Sequence, residues 1–405
     1  MAEPVAEQIG SAEFVVGLVP ATNEAPVIAD AIARIIESVP AAQAVLIHPP
    51  YSEAGVVPPA TNGHWRLVAD PRLAQDPSSL PQSRGDGFGL IFDASLKAGA
   101  RRCALIASDP SSITAGSVQL LLQPAAEQHF DLVAPCYALH PFEGLINIAI
   151  VCPLLRALYG KRILNPLGPD FGISKLLLER MVSGARTRRH PLASLAAEAA
   201  TGKMQICQTH LGPRVLPGAD WGNLSSILAQ VLDPLFLDMD RLVQHWQRTR
   251  GSEPIVEFGE PKYAAGPDGA ASPNSALEVK RLIASFDLGT RNLPEVWGMI
   301  LPPSTLVELR RLARQDTTAF RMPDETWARI VYDFALAHRL KTINRDQMLR
   351  ALTPIYLGWV ASYALELENA SPEAVGQRLE RLCLAYENSK SYLIARWRWP
   401  DRFNP

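Results

Sequence analysis

Short apolar runs alternate with longer segments of helical spacing through the first half of the chain. "FVVGLV" (14–19), "AVLI" (44–47), "WRLVA" (65–69), "RCALIA" (102–107) and "DLVAPCY" (131–137) are each too short for a helix, which predicts buried strands. Between the first two, Val27, Ile28, Ala31, Ile32, Ile35 and Ile36 form the stripe of an amphipathic helix. Asn23 stands at the expected N-cap, with Glu24 in the favourable first turn. "DGFGLIFDASLKAGA" (86–100) also reads as helical. Strands in alternation with helices predict an α/β domain built on a mostly parallel sheet. Ligands of such sheets bind at the carboxyl ends of the strands, where Asn23, Glu24, Arg84 and Asp109 fall.

The pattern changes beyond residue 250. Residues 250–275 are rich in Gly, Pro and Ala with little periodicity, and read as a linker or excursion. From Ala276 onward the spacing is helical almost throughout. It predicts helices over 323–340, over 345–369 with a kink at Pro354, and over 371–397, the last opening on Ser-Pro-Glu. The expected organisation is an α/β domain over 1–249, the linker, and an all-helical domain over 276–405.

Composition narrows the function classes. A chain of 405 residues is too long for one simple core, and 47% hydrophobic with 20% charged residues fits a soluble globular protein. A formal net charge of −2 leaves no electrostatic footprint for nucleic acid. The opening "MAEPVAEQIGSAEF" is not a secretory signal, and "LINIAIVCPLL" (145–155), interrupted by Pro153, is short of the roughly 20 apolar residues a span needs, so it reads as a buried core segment. Five dispersed cysteines, mostly inside apolar runs, read as buried reduced thiols of a cytoplasmic protein.

Candidate chemistry gathers at the strand ends. "LIASDPSSIT" (105–114) runs an apolar strand out into Asp109, a hard oxygen ligand suited to Mg²⁺ or Mn²⁺ bridging a diphosphate. The same Asp-Pro-Ser-Ser also serves as a helix-capping turn. Glu24 and Asn23 could contact a nucleoside or serve as a cap pair. Arg84, beside two glycines, could meet a base edge or a phosphate, or stand solvated. The aromatic end "RWRWPDRF" reads as a packed terminal helix or a homodimer contact rather than a sugar platform.

Several of these stretches together resemble one known family. "FVVGLVPATNEAPVI" is similar to the opening strand–turn–helix of nucleotide-sugar glycosyltransferases with the glycosyltransferase-A (GT-A) fold. "RGDGFGLIFDAS" resembles their Gly-Lys-Gly helix start, with Arg84 in the lysine's place. "YGKRILNPLGPDFGIS" (159–174) looks like the matching segment of the glucosylglycerate and mannosylglycerate synthase group. "QICQTHLGPRVLPGADWGNL" and the helical tail are also similar to that group.

The resemblance implies a GT-A-like doubly wound mixed sheet with a C-terminal all-helical domain. It implies transfer of a hexose, with retention, from a nucleoside diphosphate sugar to a small hydroxylated acid. Carried over by position, Pro20, Asn23, Glu24, Arg84 and Ser108 would hold the nucleotide, and Asp109 a Mg²⁺ or Mn²⁺ ion. Leu167, Gly168 and Asp170 would form the loop at the reacting sugar.

The chain also departs from the family. Ala107-Ser108-Asp109 stands for Asp-Ser-Asp, and Pro169 replaces a glycine. "PPYSEAG" stands for a nucleoside-gripping turn, and the family's "YGIDIW"-like segment has no match. The metal-completing histidine is absent, with Leu216 nearest its place, and His210 upstream could stand in for it or be structural. The alternative expectation is therefore a catalytically inactive homologue that keeps the fold as a binding or scaffold protein.

Overall fold

The computed structural model describes residues 10–20, 22, 24–38, 43–51, 63–74, 85–107, 109–183, 191–214, 222–260, 279–367 and 370–400. The first elements are β1 (Phe14–Leu18), α1 (Ala25–Ser38), β2 (Ala44–His48), β3 (Trp65–Ala69), α2 (Gly85–Lys97), β4 (Arg102–Ile106), α3 (Ala115–Glu127) and β5 (Leu132–Ala138). After β5 come residues 139–162, with a π-helical turn at Asn147–Val151 and α4 (Cys152–Tyr159). The chain then forms β6 (Asp170–Ser174), α5 (Lys175–Ser183), α6 (Pro191–Thr201), β7 (Ile206–Pro213), α7 (Leu224–Arg241), α8 (Val243–Trp246) and β8 (Val256–Phe258).

These strands make one eight-stranded sheet in the order β3-β2-β1-β4-β6-β5-β7-β8. β6 runs antiparallel to both neighbours and every other pair is parallel, so the sheet is mixed. β1, β2, β4 and β5 are buried on both faces, which is why they read as unbroken apolar runs. On one face Val16, Leu18, Leu46, Ala104, Ile106 and Val133 meet Ile28, Ile32 and Ile35 of α1 and Val118, Leu121 and Leu122 of α3. Helix α1 begins at Ala25. The Glu24 carbonyl accepts its first bond from the Ile28 amide at 3.0 Å, so Glu24 caps the helix rather than joining its first turn.

β8 lies inside the stretch expected as a linker. It is a three-residue edge strand that is mostly exposed, too short and too polar for a hydrophobic pattern to mark.

The chain divides into two compact units. The α/β unit comprises the described residues within Met1–Ala138, Ile163–Leu216 and Pro254–Tyr263. The helical unit comprises those within Leu139–Arg162, Pro217–Glu253 and Ala264–Pro405. It contains α4, α7 and α8 and adds α9 (Val279–Asn292), α10 (Pro294–Ile300), α11 (Pro303–Leu312), α12 (Asp324–Leu340), α13 (Arg345–Glu366), α14 (Pro372–Asn388) and α15 (Lys390–Arg398). Helix α13 runs through Pro354 without a break, and the last expected helix is two, divided at Ser389.

The core of the helical unit is aromatic, with Trp246, Trp297, Trp327, Trp359, Tyr332, Tyr356, Tyr363 and Tyr386 fully buried. Polar tips in such a core need partners. Trp327 Nε1 and the Tyr386 hydroxyl both donate to the Ala149 carbonyl, at 2.8 and 3.0 Å. The segment 145–155 is thus a buried core segment, as expected. Trp397 of the terminal helix is buried against Trp246. All five cysteines are buried and free of disulfides. No helix among the described residues is long and apolar enough to cross a membrane.

One buried acid gives this unit a pH signature. Asp333 of α12 accepts the Tyr392 hydroxyl at 2.9 and 2.8 Å and Arg396 Nε at 3.2 Å. Burial nevertheless pushes its carboxyl from 3.8 up to about 7, against the pull of those partners. Between those limits the folded state keeps a proton that the unfolded chain has lost, so stability falls as pH rises. Relative to Asp333→Asn, the wild type should lose stability from about pH 4 to about pH 7 and then level off. Paired urea melts would show this; a difference that is flat or rises across the window would contradict it.

Candidate functional site

The C-terminal ends of β1, β4, β5 and β7 and the start of antiparallel β6 share one edge of the sheet. The Val19 amide donates to the Ile106 carbonyl at 2.8 Å and so ties the tips of β1 and β4. Beyond β1, Pro20 is buried and Glu24 is exposed, its amide donating to Thr22 Oγ1 at 3.1 Å. Beyond β4, Asp109 is exposed, and its carbonyl accepts the Ser112 amide at 3.0 Å and the Ser112 hydroxyl at 2.7 Å. The backbone of Asp109 therefore closes a turn while its carboxylate stands at the surface. Asn23, Arg84 and Ser108 lie outside the described residues, as does Leu216.

Leu167, Gly168 and Pro169 are buried. A Cβ on Gly168 would sit 2.1 Å from Pro135 Cγ, so the glycine lets this loop lie against β5. Asp170 is fully buried at the head of β6. The Ala107 amide donates to the Pro169 carbonyl at 3.1 Å and to Asp170 Oδ1 at 3.0 Å. The 167–170 segment and the tip of β4 are thus held together at Ala107.

Two residues that sequence reasoning missed complete this cluster. The Tyr137 hydroxyl donates to Asp170 Oδ2 at 3.0 Å. The β5–β7 register shifts between Cys136 and Tyr137, an irregularity of the kind that re-aims a side chain. Burial, and then the Asp170 charge, push the Tyr137 phenol well above its usual value, so it stays a donor. Arg214, immediately beyond β7 and 6% exposed, places Nη1 3.4 Å from Asp170 Oδ2. It also donates to Ser112 Oγ at 3.1 Å and lies 5.5 Å from the centre of the Tyr137 ring. One signal was available in the sequence: a buried aspartate demands a cation, and Arg214 follows a strand-like run.

His210 lies on β7 opposite Cys136, and its Nε2 is 2.9 Å from a carboxylate oxygen of Glu257 on β8. Glu257 also accepts Gln208 Nε2 at 2.7 Å, which locks the outer strand pair. Among the described residues no group of three His, Cys, Asp or Glu side chains could hold a metal ion. Mg²⁺ sites need only one or two carboxylates when substrate phosphates supply the rest. The described edge offers Glu24 and Asp109 as exposed acids, with a buried guanidinium next to the Asp109 turn.

No protein-family model matches the chain, and no curated protein matches it. Among solved structures it is similar to glucosyl-3-phosphoglycerate synthase from Mycobacterium tuberculosis. The complex with Mg²⁺ and uridine-diphosphate matches at 18% identity over 58% of this chain and 82% of that one, with a TM-score of 0.37. The complex with Mn²⁺, uridine-diphosphate and phosphoglyceric acid matches at 18% identity over 58% and 81%, with a TM-score of 0.36. The complex with Mn²⁺, uridine-diphosphate-glucose and phosphoglyceric acid matches at 18% over 58% and 82%, with a TM-score of 0.34. At that level of likeness the chemistry of the site has to be read from the chain's own residues.

Proposed function

We propose that the chain is a retaining hexosyltransferase, which moves a sugar from a nucleoside diphosphate to a small hydroxylated acid. One observation carries this reading. The segments that resemble nucleotide-sugar transferases, around Glu24, Asp109 and Leu167–Asp170, all fall on the sheet edge where a doubly wound fold binds its ligand. Pro20, Asn23, Glu24, Arg84 and Ser108 would hold the nucleotide, and the Leu167–Gly168 backbone would face the sugar. Asp170, buried and bonded to Ala107 and Tyr137, would fix that loop to β4 rather than touch the sugar itself.

In the reaction the bond between the anomeric carbon and the β-phosphate oxygen breaks. The acceptor hydroxyl oxygen bonds to that carbon from the same face and gives its proton to the departing phosphate. The protein's task is to orient both partners and to stabilise the charge that develops on the diphosphate.

A second reading has its own observation. The place of the first acid is Ala107, whose amide is already bonded, so the edge could bind a nucleotide without catalysing transfer. Incubation with UDP-, GDP- and ADP-glucose and -mannose plus glycerate or 3-phosphoglycerate separates the two. Release of nucleoside diphosphate together with an α-linked product by NMR is the expected result. Nucleotide-sugar binding without turnover would favour the inactive binding protein, and no binding of any donor would sink the transferase and favour a scaffold.

A further inference from the structure

We infer that Cys152 and Cys383 form a redox pair, which closes into a disulfide and fastens α4 to α14 when the helical unit is oxidised. Both helices belong to that unit and pack on each other. Their register is fixed on either side of the two cysteines. Before Cys152, the Ala149 carbonyl accepts the Tyr386 hydroxyl at 3.0 Å. After it, Arg156 donates to Glu380 at 2.5 and 2.7 Å. The segment 149–156 therefore runs antiparallel to 380–386, which sets Cys152 opposite Cys383. The two thiols share a hydrogen bond, so their sulfurs are neighbours. Cys152 also stands where the backbone changes, its amide donating to the Asn147 carbonyl of the π-helical turn. Such turns are rare and often mark functional positions.

Both cysteines are buried, so the closed unit gives an oxidant no route to them. The hydrogen bond with Cys383, and then burial, also hold the Cys152 thiol well above its usual value, which leaves almost no thiolate there. The reaction therefore waits for α14 to lift from α4 in a local opening. In the opened state one cysteine, as thiolate, attacks a small external disulfide. Its sulfur bonds to one sulfur of the oxidant, the oxidant's S–S bond breaks, and one small thiol leaves. When α14 returns, the second cysteine attacks this mixed disulfide, forms the Cys152–Cys383 bond and expels the second small thiol. Two thiols of the chain are oxidised, one external disulfide is reduced, and the two cysteine protons end on its two thiols. The link closes a loop as long as the one between Arg156 and Glu387, 231 positions. Long loops constrain the unfolded chain most. A pair that merely fills the helix interface has the same contacts, but it neither prefers its own linkage nor gains stability on oxidation.

Oxidised glutathione, added to the full chain over a series of sub-denaturing urea concentrations, distinguishes these roles, with disulfides located by peptide mapping without reduction. The expected first product carries the Cys152–Cys383 linkage and has lost two of the five thiols. Its rate of formation should rise roughly fivefold or more per molar urea, as for a step gated by opening. The linked chain should unfold at higher urea than the reduced chain, and dithiothreitol should reverse the shift. Cys383→Ala should stop at a mixed disulfide of Cys152 with glutathione.

A first linkage that involves Cys103, Cys136 or Cys207 would overturn the inference, as would glutathione adducts on Cys152 and Cys383 that never resolve into a linkage. A linked chain with an unchanged urea midpoint, a rate indifferent to urea, or no oxidation at any sub-denaturing concentration would overturn it as well. If Cys383→Ala does not fold, the wild-type map and its urea dependence decide alone.

Discussion

Replacing Arg156 with methionine should destabilise the helical unit by about 3 to 5 kcal/mol, the usual cost of breaking one side of a buried charge network. The Arg156 side chain is 5% exposed on α4. Its two terminal nitrogens donate to Glu380 at 2.5 and 2.7 Å, and Nε donates to Glu387 at 2.6 Å and to Ser252 Oγ at 3.0 Å. Methionine fills much of the volume but leaves Glu387, 13% exposed, without its guanidinium. Arg156→Lys should recover only part of the loss, because an ammonium cannot make the paired contact with Glu380. Urea unfolding followed by tryptophan fluorescence reads the effect, since Trp246, Trp297, Trp327 and Trp359 are buried in this unit. A shift below 1 kcal/mol for Arg156→Met would show that the network contributes little.

The α/β unit has an equally sensitive point at Gly172, in the middle of β6. A Cβ there would lie 2.0 Å from the Leu121 carbonyl oxygen and 3.0 Å from Val133 Cβ. The first obstacle is backbone of α3, which cannot rotate aside as a side chain can. Gly172→Ala should therefore cost about 3 kcal/mol, at or above the upper end of ordinary overpacking. It would push α3 off the sheet or bend β6 between β4 and β5. Gly89→Ala in α2 is the matched control, since a Cβ there meets nothing within 4 Å. It should be neutral or stabilising by up to about 1 kcal/mol. Far-UV circular dichroism melts of the two variants check the pair; equal midpoints would remove the close approach as the reason for the glycine.

The sequence made the strands legible where both faces are buried, because β1, β2, β4 and β5 are then continuous apolar runs. Such runs carry no direction, so the antiparallel course of β6 could not be read from "DFGIS". β8 escaped because an exposed edge strand has no apolar signature. Helix ends were read to within a few residues, but the break at Ser389 left no trace in the spacing.

For the candidate site, only positions along the sheet were legible, and no role. Glu24, Asp109 and Leu167–Asp170 do fall on one sheet edge, whereas His210 belongs to the β7–β8 pair and Asn23, Arg84 and Ser108 lie outside the described residues. Tyr137 and Arg214 went unread because their importance comes from meeting Asp170, 33 residues from Tyr137 along the chain, and no local pattern records such a meeting.

The Arg156–Glu387 contact joins residues separated by 231 positions. During synthesis, α4 and the π-helical turn before it emerge long before α14 exists. Their apolar surface and the Arg156 charge then have only solvent or a chaperone as partner. β6 and β7 follow in that interval, so the sheet can close while the helical unit is still unfinished. Ordering of the α/β unit can therefore precede that of the helical unit, in which α4 waits for α14. Truncation after α13 would leave the early segment permanently exposed, a product that aggregates rather than one that simply lacks a tail.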